Sequence, residues 1–408
     1  MQDVVDILRE RGFVQDISDE AELRERLTQP ITLYCGYDAT ATSLHVGNLV
    51  TIMMLAHFQR CGHRPIALMG GGTTMIGDPS GKTTSRPILS EAEIEQNLQS
   101  IKGQFARFLD FEGGRALMVN NAEWLKPLTF IGFMRDIGSR FSVNEMLRLE
   151  AYRTRLEAGG LTFLEFSYVL VQSYDFLRLY QDRGCILQIG ASDQWGNCIS
   201  GADLIRRVTG GQAFVLVAPL LLTTEGTKMG KTERGAVWLD SRLTSPYDYY
   251  QYWRNTDDRV VERNLAIFTF LPMDEVRRLG CLEGAELNQA KEILAFEATK
   301  LLHGEEEAQK AQAAARALFG GLDSADSIPT YEIDLARLEE GIPVTQLFKE
   351  TGLVDSANDA RRQIAQSSLT VNGERVTDPS ARIDRGAMQN GHLMLSRGKK
   401  QHMRVVGR

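Results

Sequence analysis

The sequence predicts an open α/β fold on a parallel sheet, followed by a helical segment and a small basic α+β module. Three observations lead there. Short β-prone runs alternate with helical stretches through roughly the first 240 residues. A long tract rich in Ala, Glu, Lys and Leu follows. The end of the chain then reverses the sign of the charge carried by the rest.

The β-prone runs are Ile31–Asp38, Pro65–Gly71, Arg115–Asn121, Ile186–Ser192 and Phe214–Leu222. Several are apolar on both faces, as strands of a parallel sheet covered by helices are. Between the first two lies LHVGNLVTIMMLAHFQRCG, with an apolar stripe through Val46, Leu49, Met53 and Ala56. A strand–helix–strand order of this kind closes as a right-handed crossover. From about Ser245 the character changes, and NQAKEILAFEATKLLHGEEEAQKAQAAARALF reads as helix. The stretch Phe319–Pro343, with its Gly, Asp, Ser and Pro, reads as a linker. Beyond it, Asn372-Gly373 between β-prone flanks signals a hairpin. The expected divisions are a catalytic domain over 1–240, a helical domain over 241–320, a linker over 321–341 and a last domain over 342–408.

The 408 residues carry a net charge of −7, with 43% hydrophobic and 24% charged residues, as in an ordinary soluble protein. No apolar run reaches the roughly 20 residues of a membrane helix. The N-terminal MQDVVDILRERGF lacks the basic and apolar regions of a signal peptide, so a cytoplasmic protein is expected. Five cysteines at wide, irregular spacing fit neither a disulfide framework nor a zinc pattern. From Arg361 to Arg408 there are ten Lys and Arg against three Asp and Glu, on an otherwise acidic chain. Such a tail suits a polyanion, although a solvated charged surface would look the same.

Two short motifs carry chemistry. His45-Val46-Gly47-Asn48 follows a strand and opens a helix, whose N-terminal N–H groups and dipole suit phosphate. The preceding CGYDAT supplies Gly36, where a nucleotide could approach the backbone closely. Lys228-Met229-Gly230-Lys231-Thr232 sets two lysines in a small Gly-flanked loop, within reach of one polyphosphate. Taken singly, the first could be a helix cap and the second a solvated turn. Gly77-Asp78-Pro79-Ser80-Gly81-Lys82-Thr83 imitates a phosphate-cradling P-loop but has one residue too few between its glycines. Lys82 and Arg86 remain candidates for a second phosphate-contacting loop.

Together, HVGN after the first strand and KMGKT after the last resemble the HIGH and KMSKS signatures of class I aminoacyl-tRNA synthetases. LYCGYDATATSLHVGN, GDPSGK, EFSYVLVQSYDF and QIGASDQWGN, in this order, are similar to the bacterial tyrosyl branch of that family. Asn48 stands where the signature has its second His. The resemblance implies a Rossmann-like catalytic domain. It also implies a reaction in which the amino acid carboxylate attacks the α-phosphate of ATP and pyrophosphate leaves. The carboxylate is already a nucleophile, which accounts for the lack of a Ser/His/Asp or paired-carboxylate arrangement.

By that resemblance, Thr40 and His45 would meet the phosphates, and Lys82, Arg86, Lys228 and Lys231 would close over the departing pyrophosphate. Magnesium would come with ATP, with no dedicated metal site or tightly bound cofactor. Tyr168, Gln172 and Asp175 share a helix face by their spacing, which by itself would suit a core tyrosine beside exposed polar residues. The family match instead makes Asp175 and Tyr34 partners of the substrate's phenol. Tyr168, Gln172, Asp78 and Gln194 would hold its ammonium group, with Asn121 a further pocket member. Gly36, Asp38, Gly190, Asp193 and Gln194 would lie by the ribose, adenine or carboxylate, and Gly47 and Asn48 of HVGN would also contact ATP.

IPVTQLFKETGLVDSANDARRQIAQSSLTVNGERV resembles an S-four-like RNA-binding module. Arg361, Arg362, Arg375, Lys399 and Lys400 would then contact phosphates of tRNA(Tyr). The resemblance further implies a homodimer with the apolar segment Trp124–Phe141 at its interface, and no membrane. Two other readings fit parts of the sequence: a nucleotidyl-transfer enzyme of the same fold without RNA, and a non-catalytic RNA-binding relative. The basic module opposes the first. The second is opposed by His45, both KMGKT lysines and the whole pocket set.

Overall fold

The structure is a computed structural model. It describes residues 3–80, 89–222, 229–232, 235–284, 286–320, 329–389, 391–398 and 401–408, with the backbone alone at 231–232 and 318–320. The chain forms two compact units, residues 1–244 with 256–294 and residues 245–255 with 295–408.

The first unit is built on six strands: β1 (Asp16–Ile17), β2 (Thr32–Tyr37), β3 (Arg64–Met69), β4 (Leu117–Asn120), β5 (Cys185–Ala191) and β6 (Phe214–Ala218). Their order is β1-β6-β5-β2-β3-β4. All neighbours run parallel except β1, which pairs antiparallel with β6 as a short edge. The chain lays β3 and β4 on one side of β2, then returns to lay β5 and β6 on the other. Adjacent strands β2 and β5 therefore send their following segments in opposite directions. A crevice opens at their carboxyl ends, where α/β sheets hold ligands.

The strands read from sequence are present with ends moved by at most four residues. The edge strand β1 is too short to show a period. The helix Val46–Arg60 buries Val46, Leu49, Met53 and Ala56, and also Val50, Ile52, Met54, Leu55 and Phe58. It is covered on more than one side because the helices Val4–Glu10 and Val261–Phe268 pack on it as well as β3. Next along the chain, β7 (Lys231–Thr232) and β8 (Gly235–Ala236) make a two-stranded ladder.

In the second unit the helices Leu287–His303, from Ala295 onward, and Glu305–Gly320 are separated by Gly304 at φ 93°. The remaining strands are β9 (Thr330–Ile333), β10 (Ile342–Pro343), β11 (Leu369–Val371), β12 (Glu374–Arg375), β13 (Arg382–Ile383), β14 (His392–Arg397) and β15 (Gln401–Gly407). A five-stranded sheet runs β12-β11-β14-β15-β9, while β10 pairs with β13. This corrects the linker reading of 321–341. Its described part holds β9, paired parallel with β15, and the helix Leu335–Glu339, whose Leu338 is fully buried. The helices Val261–Phe268 and Met273–Gly280 belong with the first unit, not with the later helices.

The Asn372-Gly373 turn joins β11 to β12 with both residues at positive φ, 51° and 84°. Two such residues match the twist of a tight hairpin. Asn372 also donates through Nδ2 to the Ala387 carbonyl at 2.7 Å and accepts the Met394 N–H at 2.8 Å. Asn372→Ala should cost about 2–3 kcal/mol, from two half-buried hydrogen bonds and a left-handed backbone. Asn372→Gly should recover about 1 kcal/mol of that by relieving the backbone alone. Urea unfolding of the full chain followed over the C-terminal sheet measures both; equal losses in the two variants would refute the backbone share.

Candidate active site

The crevice is a cavity of about 320 Å³ lined by the carboxyl ends of β2, β3 and β5, the start of the helix Val46–Arg60 and one face of the helix Tyr168–Arg183. Gly36 is the exposed residue of the otherwise buried β2, and a Cβ there would meet nothing within 4 Å. The sheet thus presents bare backbone to the cavity, where a flat ligand can lie against it.

At the deep end, Tyr34 is 1% exposed and its hydroxyl has no hydrogen-bond partner among the described residues. A buried hydroxyl without a partner carries a cost that a ligand group can remove. Burial pushes the Tyr34 phenol well above its ordinary value, so it remains a donor. Asp175 faces the same cavity at 2% exposure. Its two oxygens accept from Asn121 Nδ2 and Trp124 Nε1, each at 2.8 Å. Burial pushes its carboxyl up to about 7, against those two hydrogen bonds, which favour the ionised form. A phenol oxygen entering here can donate to Asp175 and accept from Tyr34.

The network continues outward. Asn121 Nδ2 also donates to Thr73 Oγ1 at 3.0 Å, and Thr73 donates to Asp38 Oδ1 at 2.9 Å. The Tyr168 hydroxyl donates to Asp38 Oδ2 at 3.5 Å. Asp38 thus belongs to the same polar chain as the deep pair, on the side of Tyr168. In the same cavity, Gln194 Nε2 donates to Asp78 Oδ2 at 2.7 Å; Asn197 Nδ2 donates to Gln172 Oε1 at 3.0 Å and Ser80 Oγ at 3.2 Å. Two carboxylates, Asp38 and Asp78, and the oxygens of Gln172 and Gln194 form a wall suited to an ammonium group.

The other end is built on His45, the N-cap of the helix Val46–Arg60. Its Nδ1 accepts the Gly47 N–H at 3.0 Å, which places its proton on Nε2. Asn48 Oδ1 accepts the His45 N–H at 3.0 Å, closing a capping box. The residue that departs from the HIGH signature is thus an effective cap. Gly47 cannot be larger, because a Cβ would fall 2.7 Å from the His45 ring. Thr40 and Gly190 also line the cavity, whereas Asp193, in the short turn Ser192–Gln194, does not.

Lys82, Arg86, Lys228, Lys399 and Lys400 lie outside the described residues, and of Lys231 only the backbone, in β7, is described. Arg361 and Arg362 are exposed on the helix Ala357–Ala365, where Arg362 pairs with Asp359 at 2.6 Å, and Arg375 is exposed on β12. Sequence reasoning missed Thr73, Asn197 and the pocket role of Trp124, which it had placed at an interface. A signal existed for two of them: Thr73 and Trp124 follow the ends of β3 and β4, where parallel sheets put their ligand-binding loops. In the segment Trp124–Phe141, Trp124, Phe133 and Phe141 pack inward, while Phe130 and Ile131 are 66% and 75% exposed.

Residues 25–320 match the family model of class I tRNA synthetases for tryptophan and tyrosine. Residues 322–405 match the C-terminal domain of tyrosine–tRNA ligases. The tyrosine–tRNA ligase of Clostridium kluyveri is 50% identical over 407 residues, covering 100% of both chains. That of Clostridium beijerinckii is 49% identical over 406 residues, covering 99% of each. The chain belongs to the tyrosine–tRNA ligase family. Among solved structures, a C-terminally truncated mitochondrial tyrosyl-tRNA synthetase of Aspergillus nidulans matches with TM-score 0.70 at 28% identity, over 78% of this chain and 95% of that one. The Archaeoglobus fulgidus tyrosyl-tRNA synthetase complexed with L-tyrosine shares the fold, with TM-score 0.58 at 17% identity over 76% and 100% of the two chains.

Were Asp175 to accept a tyrosine phenol in this pocket, its state would set a pH dependence. Below about pH 7 its carboxyl is largely protonated in the empty pocket, whereas accepting a phenol O–H requires the ionised form. Tyrosine affinity should fall as pH drops through 7, approaching tenfold per unit at pH 6 and below. Binding at pH 6 should release close to one proton. Calorimetry in two buffers of different ionisation enthalpy measures the proton directly; flat affinity to pH 5 with no proton release would remove Asp175 from this role.

Proposed function

We propose that the chain activates L-tyrosine with ATP to give tyrosyl-adenylate and pyrophosphate, then transfers tyrosine to the 3′ end of tRNA(Tyr). The observation that carries this is the pairing, in one cavity, of an unpartnered Tyr34 hydroxyl beside Asp175 with a helix N-terminus capped by His45. One end fits a phenol and the other fits phosphate.

In the first step the tyrosine carboxylate attacks the α-phosphorus as pyrophosphate leaves. Asp175 and Tyr34 fix the phenol, and Asp78, Gln172, Gln194 and Tyr168 fix the ammonium group. The carboxylate is thereby aimed toward the start of the helix Val46–Arg60. His45 Nε2–H and Thr40 meet the phosphate oxygens on which charge develops. The lysines of KMGKT, with Lys82 and Arg86, neutralise the departing pyrophosphate. Magnesium accompanies the phosphates. Among the described residues no cluster of three or more His, Cys, Asp or Glu side chains could hold a cation by itself. In the second step a hydroxyl of the terminal ribose of tRNA attacks the adenylate carbonyl and AMP leaves. The basic C-terminal module, through Arg361, Arg362, Arg375, Lys399 and Lys400, binds RNA phosphates.

A second copy of the chain is the expected partner. Phe130, Ile131, Val143, Leu147, Leu156, Phe163 and Leu164 are all substantially exposed within one stretch of sequence. Apolar exposure on that scale favours a protein interface. Among the described residues no helix is long and apolar enough to cross a membrane.

Pyrophosphate exchange assayed with each of the twenty amino acids should be fastest with tyrosine; a different best substrate overturns the reading. A chain stopped within 321–328, ahead of β9, should keep that exchange nearly intact and lose most tRNA charging. A cut at Glu340 would strip β9 from its sheet and confuse the two effects. Undiminished charging by the shorter chain would remove the RNA-binding role of the tail.

A further inference from the structure

One aromatic residue at the phosphate end of the cavity has no part in the reading above. Trp238 lines the cavity beside His45. The two residues form an antiparallel bridge, and their rings meet edge to face at 6.2 Å between centroids and 67° between planes. Flanking backbone hydrogen bonds hold that register. Val46 N–H donates to the Val237 carbonyl at 2.9 Å, and Leu239 N–H donates to the Leu44 carbonyl at 2.8 Å. Trp238 N–H donates to Thr244 Oγ1 at 3.0 Å.

The same short segment reaches the second signature. Val237 N–H donates to the carbonyl of Gly230, the central residue of KMGKT, at 2.9 Å. Gly230 sits at φ 89°, and a Cβ there would fall 2.8 Å from the Gly47 backbone nitrogen. The two signatures are therefore in backbone contact, with residues 237–239 laced to both.

Resting on the reading of His45 as a phosphate-facing donor, we propose that Trp238 is a positioning residue. It holds the His45 imidazole in orientation and couples it to the KMGKT segment. Gly47 N–H fixes Nδ1, and the indole walls one side of the ring. Rotation of the imidazole would give up both contacts at once. Edge-to-face aromatic pairs have a preferred geometry of this kind. Displacement of residues 229–230 would be felt at His45 through Val237, because packed elements shift as units. The contribution belongs to the chemical step and leaves the tyrosine end of the cavity alone.

The test is single-turnover adenylate formation with the full chain, in His45→Ala, Trp238→Ala, Trp238→Leu, Trp238→Phe and the double variant His45→Ala/Trp238→Ala. Trp238→Ala and Trp238→Leu should each slow the step about tenfold, with tyrosine Kd changed less than about twofold. Trp238→Phe, which keeps an aromatic edge, should recover most of the rate. On the His45→Ala background the second substitution should cost less than about twofold, since its effect passes through His45. Losses that multiply, or a weakened tyrosine Kd with an unaltered step, overturn the proposal while leaving the phosphate role of His45 standing. Should Trp238→Ala fail to fold, Trp238→Leu and Trp238→Phe carry the same comparison. An unaltered step in His45→Ala would sink the underlying reading instead, and the proposal with it.

Discussion

The site depends on a polar pair that the fold buries before any substrate arrives. Tyr34 and Asp175 are both within 2% of complete burial, on a strand and a helix that contribute to one apolar cluster. Asn121 and Trp124 hold the carboxylate, and nothing among the described residues holds the Tyr34 hydroxyl. Burying unsatisfied polar atoms costs about 1–3 kcal/mol each. In the proposed reading, a substrate phenol offsets this cost by supplying the missing donor and acceptor together. A site of this kind discriminates against an isostere lacking the hydroxyl, a rule for which tyrosine activation is itself the standing example.

The sheet order explains how both ends of the substrate pair meet in one cavity. Because β2 and β5 are neighbours, residues far apart in sequence converge at their carboxyl ends. Tyr34 and Gly36 come from β2, Gly190 from β5, and Thr73 and Asn121 from the segments after β3 and β4. The helix Val46–Arg60 starts where β2 has just ended, so its N-terminus faces the same crevice. The proposed specificity at one end and phosphate chemistry at the other would both follow from one topological switch point.

Much of this was legible in the sequence. Parallel strands announce themselves as apolar runs, and five appear close to where they were expected. Spacing alone put Tyr168, Gln172 and Asp175 on one face, and the cavity receives all three. What escaped was long-range. Trp124 looked like part of an apolar interface segment, and only its approach to Asp175, 51 residues away, shows that it holds that carboxylate. Asn48 looked like a weakened signature until its hydrogen bond to the His45 N–H revealed a cap. The supposed linker contains β9 because its strand partner, β15, comes some seventy residues later, and composition cannot signal a pairing so remote.

The two units offer different surfaces: a buried polar pocket in the first, proposed for the amino acid, and exposed arginines on the small sheet module of the second, proposed for a polyanion. The first carries the account. It is tested most directly by competition between tyrosine and phenylalanine in pyrophosphate exchange, comparing the parent with Tyr34→Phe. Loss of the Tyr34 hydroxyl, one of the buried hydroxyls left without a partner, should lower the preference for tyrosine by about tenfold, a single hydrogen bond's worth. It should leave the phenylalanine rate nearly unaltered. An unchanged preference would mean that the Tyr34 hydroxyl does not read the phenol, and the central claim would fall.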